Sequence, residues 1–309
     1  MPPQTARSAL PLVLVAAALA AGGTAPWWLG AYYLGIFTIA YYFGVFAMSW
    51  DLLFGYAGEV NFGPTFLIGL GAYSAGLMNN AGVPLPVCVL GGAATAIVGG
   101  LILAIPALRL RGPYFGLVTL VAVLLLLDAI VIFAGVTGGE IGMMVPDVLS
   151  VSASVNYWYA FGFLVISAAI LFGLSRSALG LILQATGQDR IEAQALGFNV
   201  TKHKLAAFAV SALFSGLAGA MLTFYEGTAS VDQMVNLSIA VQIIIAVVFG
   251  GRRTILGGIL GAIFLVFFNE WLRPLGQLNT LVVSAIALLV ILFVPDGVLG
   301  LVLRPREGR

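Results

Sequence analysis

RSALGLILQATGQDRIEAQALGFNVTKHKLAAFAVSALFSG, residues 176–216, is the one long polar interruption in an otherwise oily chain. Arg176, Gln184, Gln188, Asp189, Arg190, Glu192, Lys202 and Lys204 stand here between two apolar runs, 157–174 and 205–225. Ile182, Leu183, Ile191, Ala195 and Leu196 suit an apolar stripe on one or two short helices. Gly197 follows the last periodic residue, where helices commonly stop, and Asn199 lies just beyond it. The expected local structure is a helix, a glycine stop, a turn and then a membrane helix from about Lys204. Such a connection serves either as a solvated link between two spans or as a handle for another protein.

The surrounding composition sets the class. Of 309 residues, 61% are hydrophobic and 8% charged, against about 25% charged in a soluble domain. This is an all-α, polytopic membrane protein. The 39 glycines suggest close helix–helix approach and broken helices. Cys88 is the single cysteine and lies in an apolar run, so no disulfide forms within the chain and a buried small hydrophobe is expected. No G-x-x-x-x-G-K-[ST] occurs, which excludes a P-loop nucleotide site. His203 is the single histidine, so zinc ligation and Cys/His catalysis lack their parts. No catalytic residue, metal site or bound cofactor is expected in this chain.

Apolar segments fall at roughly 9–25, 29–54, 62–79, 83–106, 114–135, 157–175, 205–225, 235–250, 257–272 and 280–297. That predicts about ten membrane segments, several of them tight for a span of ~20 residues. Arg7 followed by Ala9–Ala21 is read either as a first span or as a secretory signal cleaved after Ala18-Leu19-Ala20. With the N-terminus inside, the inner connections hold Arg7, Arg109, Arg111, Arg176, Arg190, Lys202, Lys204, Arg252, Arg253, Arg304, Arg306 and Arg309. The outer ones hold Arg273 alone. Twelve of the 13 basic residues on one side argue for both termini inside.

Three further stretches carry polar or glycine-rich signals. GYAGEVNFGPTFLIGLGAY, residues 55–73, is crowded with Gly55, Gly58, Gly63, Pro64, Gly69 and Gly71, and Asp51, Glu59 and Asn61 are polar. It reads as a turn between two helices or as a broken helix lining a transport path. RLRGPYFGLVTL, residues 109–120, has a Gly112-Pro113 break with the proline suited to a first helical turn. Asp128 follows inside the same apolar segment, where an ionisable residue is a functional candidate or a hydrogen-bonded position near the outer end. Residues 136–156 form the longest outer loop, with Glu140 and Asp147 and no base; the loop 226–233 is also acidic. The inner turn 250–258 carries Arg252 and Arg253, placed to reach lipid phosphate or a partner. Val294-Pro295-Asp296-Gly297 stops the last helix before a short basic tail.

These stretches together resemble the branched-chain amino acid importer permeases, the LivM-like subunits of bacterial ABC transporters. The resemblance is carried by Gly180, Ala185, Ala193, Ala195-Leu196-Gly197, Asn199-Val200, Lys204-Leu205, Ala207-Phe208, Ser211-Ala212 and Gly216, by residues 55–73 and 109–120, and by Thr137-Gly138-Gly139 with Gly142. Leu181, Thr186, Gly187, Glu192, Glu59, Pro64 and Leu124 depart from the family's usual residues. The resemblance implies one permease domain over 1–309, with residues 176–204 as a cytoplasmic coupling loop. It implies ATPase contacts at Asp189, Arg190, Glu192, Ala193, Gly197 and Asn199. It implies a substrate path at Tyr56, Gly58, Glu59, Asn61, Gly63, Tyr114 and Asp128. Binding-protein docking is expected at Thr137, Gly138, Gly139, Glu140 and Glu226. The partners it implies are a second, related permease, two ATPase subunits that hold ATP with Mg, and an extracytoplasmic binding protein, all at the inner membrane of a bacterium. Glu59, Asn61 and Asp128 leave open a permease for urea, short amides or another small solute, or a stand-alone proton-coupled carrier.

Overall fold

The computed structural model describes residues 16–110 and 113–276 together with positions 278, 281, 282 and 285. The first and last expected segments, 9–25 and 280–297, and Arg111-Gly112, therefore lie partly or wholly outside the described residues. A helical stretch over 16–24 and a tight turn at Ala25–Trp27 lead into α1, Ala31–Asp51, which continues as a π-helical turn over Leu52–Tyr56. Then come α2 (Pro64–Asn80), α3 (Leu85–Ala107), α4 (Pro113–Ile132) and the short α5 (Ala134–Thr137). After a strand β1 (Met143–Met144) follow α6 (Ala153–Arg176), α7 (Ala178–Gln188), α8 (Arg190–Ala195) and α9 (Val200–Glu226). Strand β2 (Thr228–Ala229), α10 (Val231–Met234), α11 (Leu237–Gly250) and α12 (Leu256–Leu272) complete the order.

Among the described residues 6 helical segments are long and apolar enough to cross a membrane: 31–56, 85–107, 113–132, 153–176, 200–226 and 231–250. Two expected segments fall short. α2 and α12 have 17 residues each, about 26 Å of helix against a hydrocarbon core of ~30 Å. Each is entered through an irregular stretch that lengthens its path.

Helix α9 is the centre of the bundle and packs most extensively on α3 and α2, with α1 beside them. Small residues make this possible. A Cβ on Gly92 would lie 2.6 Å from the Gly71 carbonyl oxygen and 3.1 Å from the Ala220 methyl. Lipid supplies no hydrophobic drive for helix association, so close backbone approach of this kind is what holds such helices together. On the other side of α1 pack α6, α11 and α12. Helix α4 lies at the edge, touching mainly α2 and α3 and exposing Tyr114, Leu117, Val121, Leu124 and Leu125.

The two ends of the bundle differ in chemistry. Tyr32 donates to Glu270 Oε1 at 2.7 Å, and Tyr157 donates to the Gly22 carbonyl at 2.7 Å. The first bond ties the start of α1 to the end of α12, and the second ties the 16–24 stretch to the start of α6. Exposed Trp27, Trp28, Tyr32, Tyr33, Trp158, Tyr159 and Trp271 ring that end, the aromatic belt of a membrane boundary. Arg109, Arg176, Arg190, Lys202, Lys204, Arg252 and Arg253 all lie at the other end. Of the described basic residues only Arg273 lies at the aromatic end, the same segregation that the chain's charge pattern predicts.

Candidate functional site

The break after α1 sits at the basic end and climbs into the bundle. Ala57 N–H reaches back to the Leu52 carbonyl, Glu59 N–H to that of Leu53, and the chain then leaves the helix. Gly58 has φ 72°, a conformation that costs other residues ~1–2 kcal/mol. Its bare Cα also lets Gly187, in the last turn of α7, approach: a Cβ here would lie 2.9 Å from the Gly187 Cα. Asn61 holds the upper part of the segment. Its carbonyl accepts from Trp50 Nε1 at 2.6 Å, and its side-chain oxygen accepts from Gly63 N–H at 2.8 Å. Phe62 N–H donates to Thr119 Oγ1 on α4 at 3.0 Å.

Two carboxylates flank the break, and they serve different partners. Asp51 is wholly buried. Its Oδ1 accepts from Arg253 N–H and its Oδ2 from Ile255 N–H, each at 3.0 Å. Arg253 Nε in turn donates to the Gly55 carbonyl at 2.7 Å, and Tyr56 donates to the Arg253 carbonyl at 2.9 Å. Arg253 and Ile255 have φ 63° and 53°, conformations sustained only where surrounding bonds over-determine them. The carboxylate supplies that restraint. Arg252 and Arg253 are both exposed, and Arg253 is in addition anchored through its Nε to the chain's own Gly55 carbonyl. Glu59 instead accepts from Lys204 Nζ at 2.6 Å.

The loop 189–199 lies beside this cluster. Asp189 Oδ1 accepts from Ile191 N–H at 2.7 Å and Glu192 N–H at 3.1 Å, capping α8. Ala193 is 2% exposed and faces the chain, whereas Ile191 is 75% and Leu196 73% exposed. Gly197, with φ 88° and nothing within 4 Å of a would-be Cβ, ends the helix; Phe198 N–H closes it on the Ala193 carbonyl at 3.1 Å. Asn199 Oδ1 accepts from Lys202 N–H at 3.0 Å and starts α9 at Val200, earlier than the apolar run does. Arg190 is half-buried and Glu192 exposed.

The remaining expected site residues are dispersed. Tyr114 is exposed at the basic end of α4, and Asp128 is exposed near its other end. Asp128 is nine residues beyond Thr119, about 13 Å along the helix, so the fold does not bring it to Glu59. At the aromatic end, Thr137 donates to the Ile130 carbonyl at 2.6 Å and accepts from Gly139 N–H at 3.2 Å. Gly138 and Gly139 have positive φ. The strands pair Met143 with Ala229 and Met144 with Thr228, which joins the loop holding exposed Glu140 to the loop begun by half-buried Glu226. Lys204 is the participant that sequence reasoning missed; its signal was a lysine at the head of an apolar run.

The family described as branched-chain amino acid transport system / permease component matches residues 32–295. The chain belongs to that family. LivM of Salmonella typhimurium, a high-affinity branched-chain amino acid transport system permease protein, is 27% identical over 85% of this permease and 69% of its own length. Escherichia coli LivM is 28% identical over the same shares. The fructose import permease protein FrcC of Rhizobium meliloti is 28% identical over 47% of this chain and 46% of its own. No solved structure matches. With its apolar helices, this permease is a multi-pass protein of the cytoplasmic membrane, and its relatives are transport subunits rather than enzymes.

Proposed function

We propose that this permease is one half of the membrane channel of an ABC importer for branched-chain or other small hydrophobic amino acids. A second, related permease forms the other half. Two separate ATPase subunits bind ATP with Mg and dock on residues 189–199, and an extracytoplasmic binding protein delivers the solute at the aromatic end, near Thr137–Glu140 and Glu226. In this reading the basic end and both termini face the cytoplasm, with about ten segments in all. ATP binding closes the ATPases, the loop carries that motion, and the spans rock about a shared path near Tyr56, Gly58, Gly63, Tyr114 and Asp128.

The observation that supports it most is α8. A capped helix with Ile191 and Leu196 standing in solvent, at the basic end of a chain with no nucleotide motif, has a surface that this chain leaves uncovered. The choice of solute class rests on the LivM relatives. The reading for urea or short amides drew on Glu59, Asn61 and Asp128, and the first two are already engaged within the chain.

The test is uptake of labelled leucine into proteoliposomes holding the full complex and its binding protein. Uptake is expected to need ATP and the ATPase subunits together. Uptake by the permease pair without ATPases, driven by a proton gradient, would overturn the proposal in favour of a proton-coupled carrier.

A further inference from the structure

The described residues hold two ion pairs. Arg273–Glu270 joins neighbours on one turn at the aromatic end. Lys204–Glu59 joins residues 145 apart, at 2.6 Å, with side chains only 8% and 16% exposed. We infer that this buried pair is the link through which the coupling loop pulls the broken segment, making Glu59 and Lys204 positioning residues for transport. The inference rests on the ABC-importer reading above.

The geometry gives the reason. Lys204 stands in the second turn of α9, just past the Asn199 cap that closes the loop 189–199. Whatever moves α8 moves this turn. Glu59 stands in the segment 57–63, whose other ties are of a different kind. Gly58 rests against Gly187 by backbone contact, which transmits a push but no pull. Asn61 and Phe62 are held by neutral hydrogen bonds to α1 and α4. The tie to the loop-bearing helix is therefore the charged one. A buried lysine left without its counter-charge is strongly unfavourable, so the pair resists opening and the segment follows Lys204. The alternative is a static brace that fixes 57–63 with no part in coupling.

A static brace and a coupling link differ in one readout, the number of ATP molecules hydrolysed per leucine taken up. In proteoliposomes with all partners, Glu59→Gln is expected to assemble and to hydrolyse ATP within twofold of wild type. Leucine uptake should fall at least tenfold. A second arm places Glu59→Cys and Lys204→Cys in a Cys88→Ser background and joins them with a short bifunctional thiol reagent. Bridging is expected to raise uptake at least threefold over the unbridged protein. A wild-type ratio of ATP to leucine in Glu59→Gln would overturn the link. So would a bridged complex that assembles yet transports no better than the unbridged one, whether or not Glu59→Gln folds. If the wild-type complex itself shows no ATP-driven uptake, the importer reading fails first and the link falls with it.

Discussion

The broken segment 57–63 and the loop 189–199 lie side by side at the basic end, and both are polar, glycine-bearing interruptions of an apolar chain. Their bonds run in opposite directions. In the first, Gly58, Glu59, Asn61 and Phe62 find partners on α7, α9, α1 and α4. In the second, Asp189 and Asn199 cap only their own helices, and Ile191 and Leu196 face solvent. The contrast teaches where to look for the missing partner. A region whose polar groups are satisfied at long range is part of the machine's frame. The region that satisfies itself locally, and shows apolar side chains, is the surface on which the proposed ATPase contact is placed.

Gly58→Leu is the harshest way to break the contrast. It places a side chain at φ 72° and within 2.9 Å of the Gly187 Cα, a combined cost on the order of 3 kcal/mol or more. Leucine uptake should fall more than 100-fold while the ATPases still co-purify, because α8 is untouched. Normal uptake would show that the segment is a passive turn.

Asp189→Ala sharpens the contrast from the other side, with a smaller effect. It removes the acceptor of two α8 N–H groups, worth ~1 kcal/mol, or about fivefold in docking. Affinity for the ATPase subunits, measured by titration in detergent, should drop by that factor and recover in Asp189→Asn. An unchanged affinity would mean that α8 is ordered by its packing rather than by its cap.

Much of this arrangement was legible because it is local. The Gly197 stop, the one or two short helices before it, the Pro113 start and the segregation of basic residues all follow from local sequence signals. The start of α9 at Val200 rather than near Lys204 shows the limit of reading by apolarity, since Asn199 begins the helix by capping Lys202. What was not legible is long-range. Asp51 in an apolar run announces that it needs a partner, but nothing in the chain says that Arg253 and Ile255, more than 200 positions away, supply it. Glu59 was read as facing a solute for the same reason: its counter-charge is 145 residues distant. The LivM-like pattern singled out these stretches, and the packing gives Glu59 and Asn61 partners within the chain.

Residues 189–199 are, in the proposed complex, covered by separate ATPase subunits. Leu196→Cys, in a Cys88→Ser background, tests it directly through the rate of maleimide labelling of the permease pair with and without those subunits. At 73% exposure the position should label rapidly in the permease alone. It should be protected at least tenfold in the assembled complex. Equal labelling rates in a complex that drives ATP-dependent uptake would contradict the account.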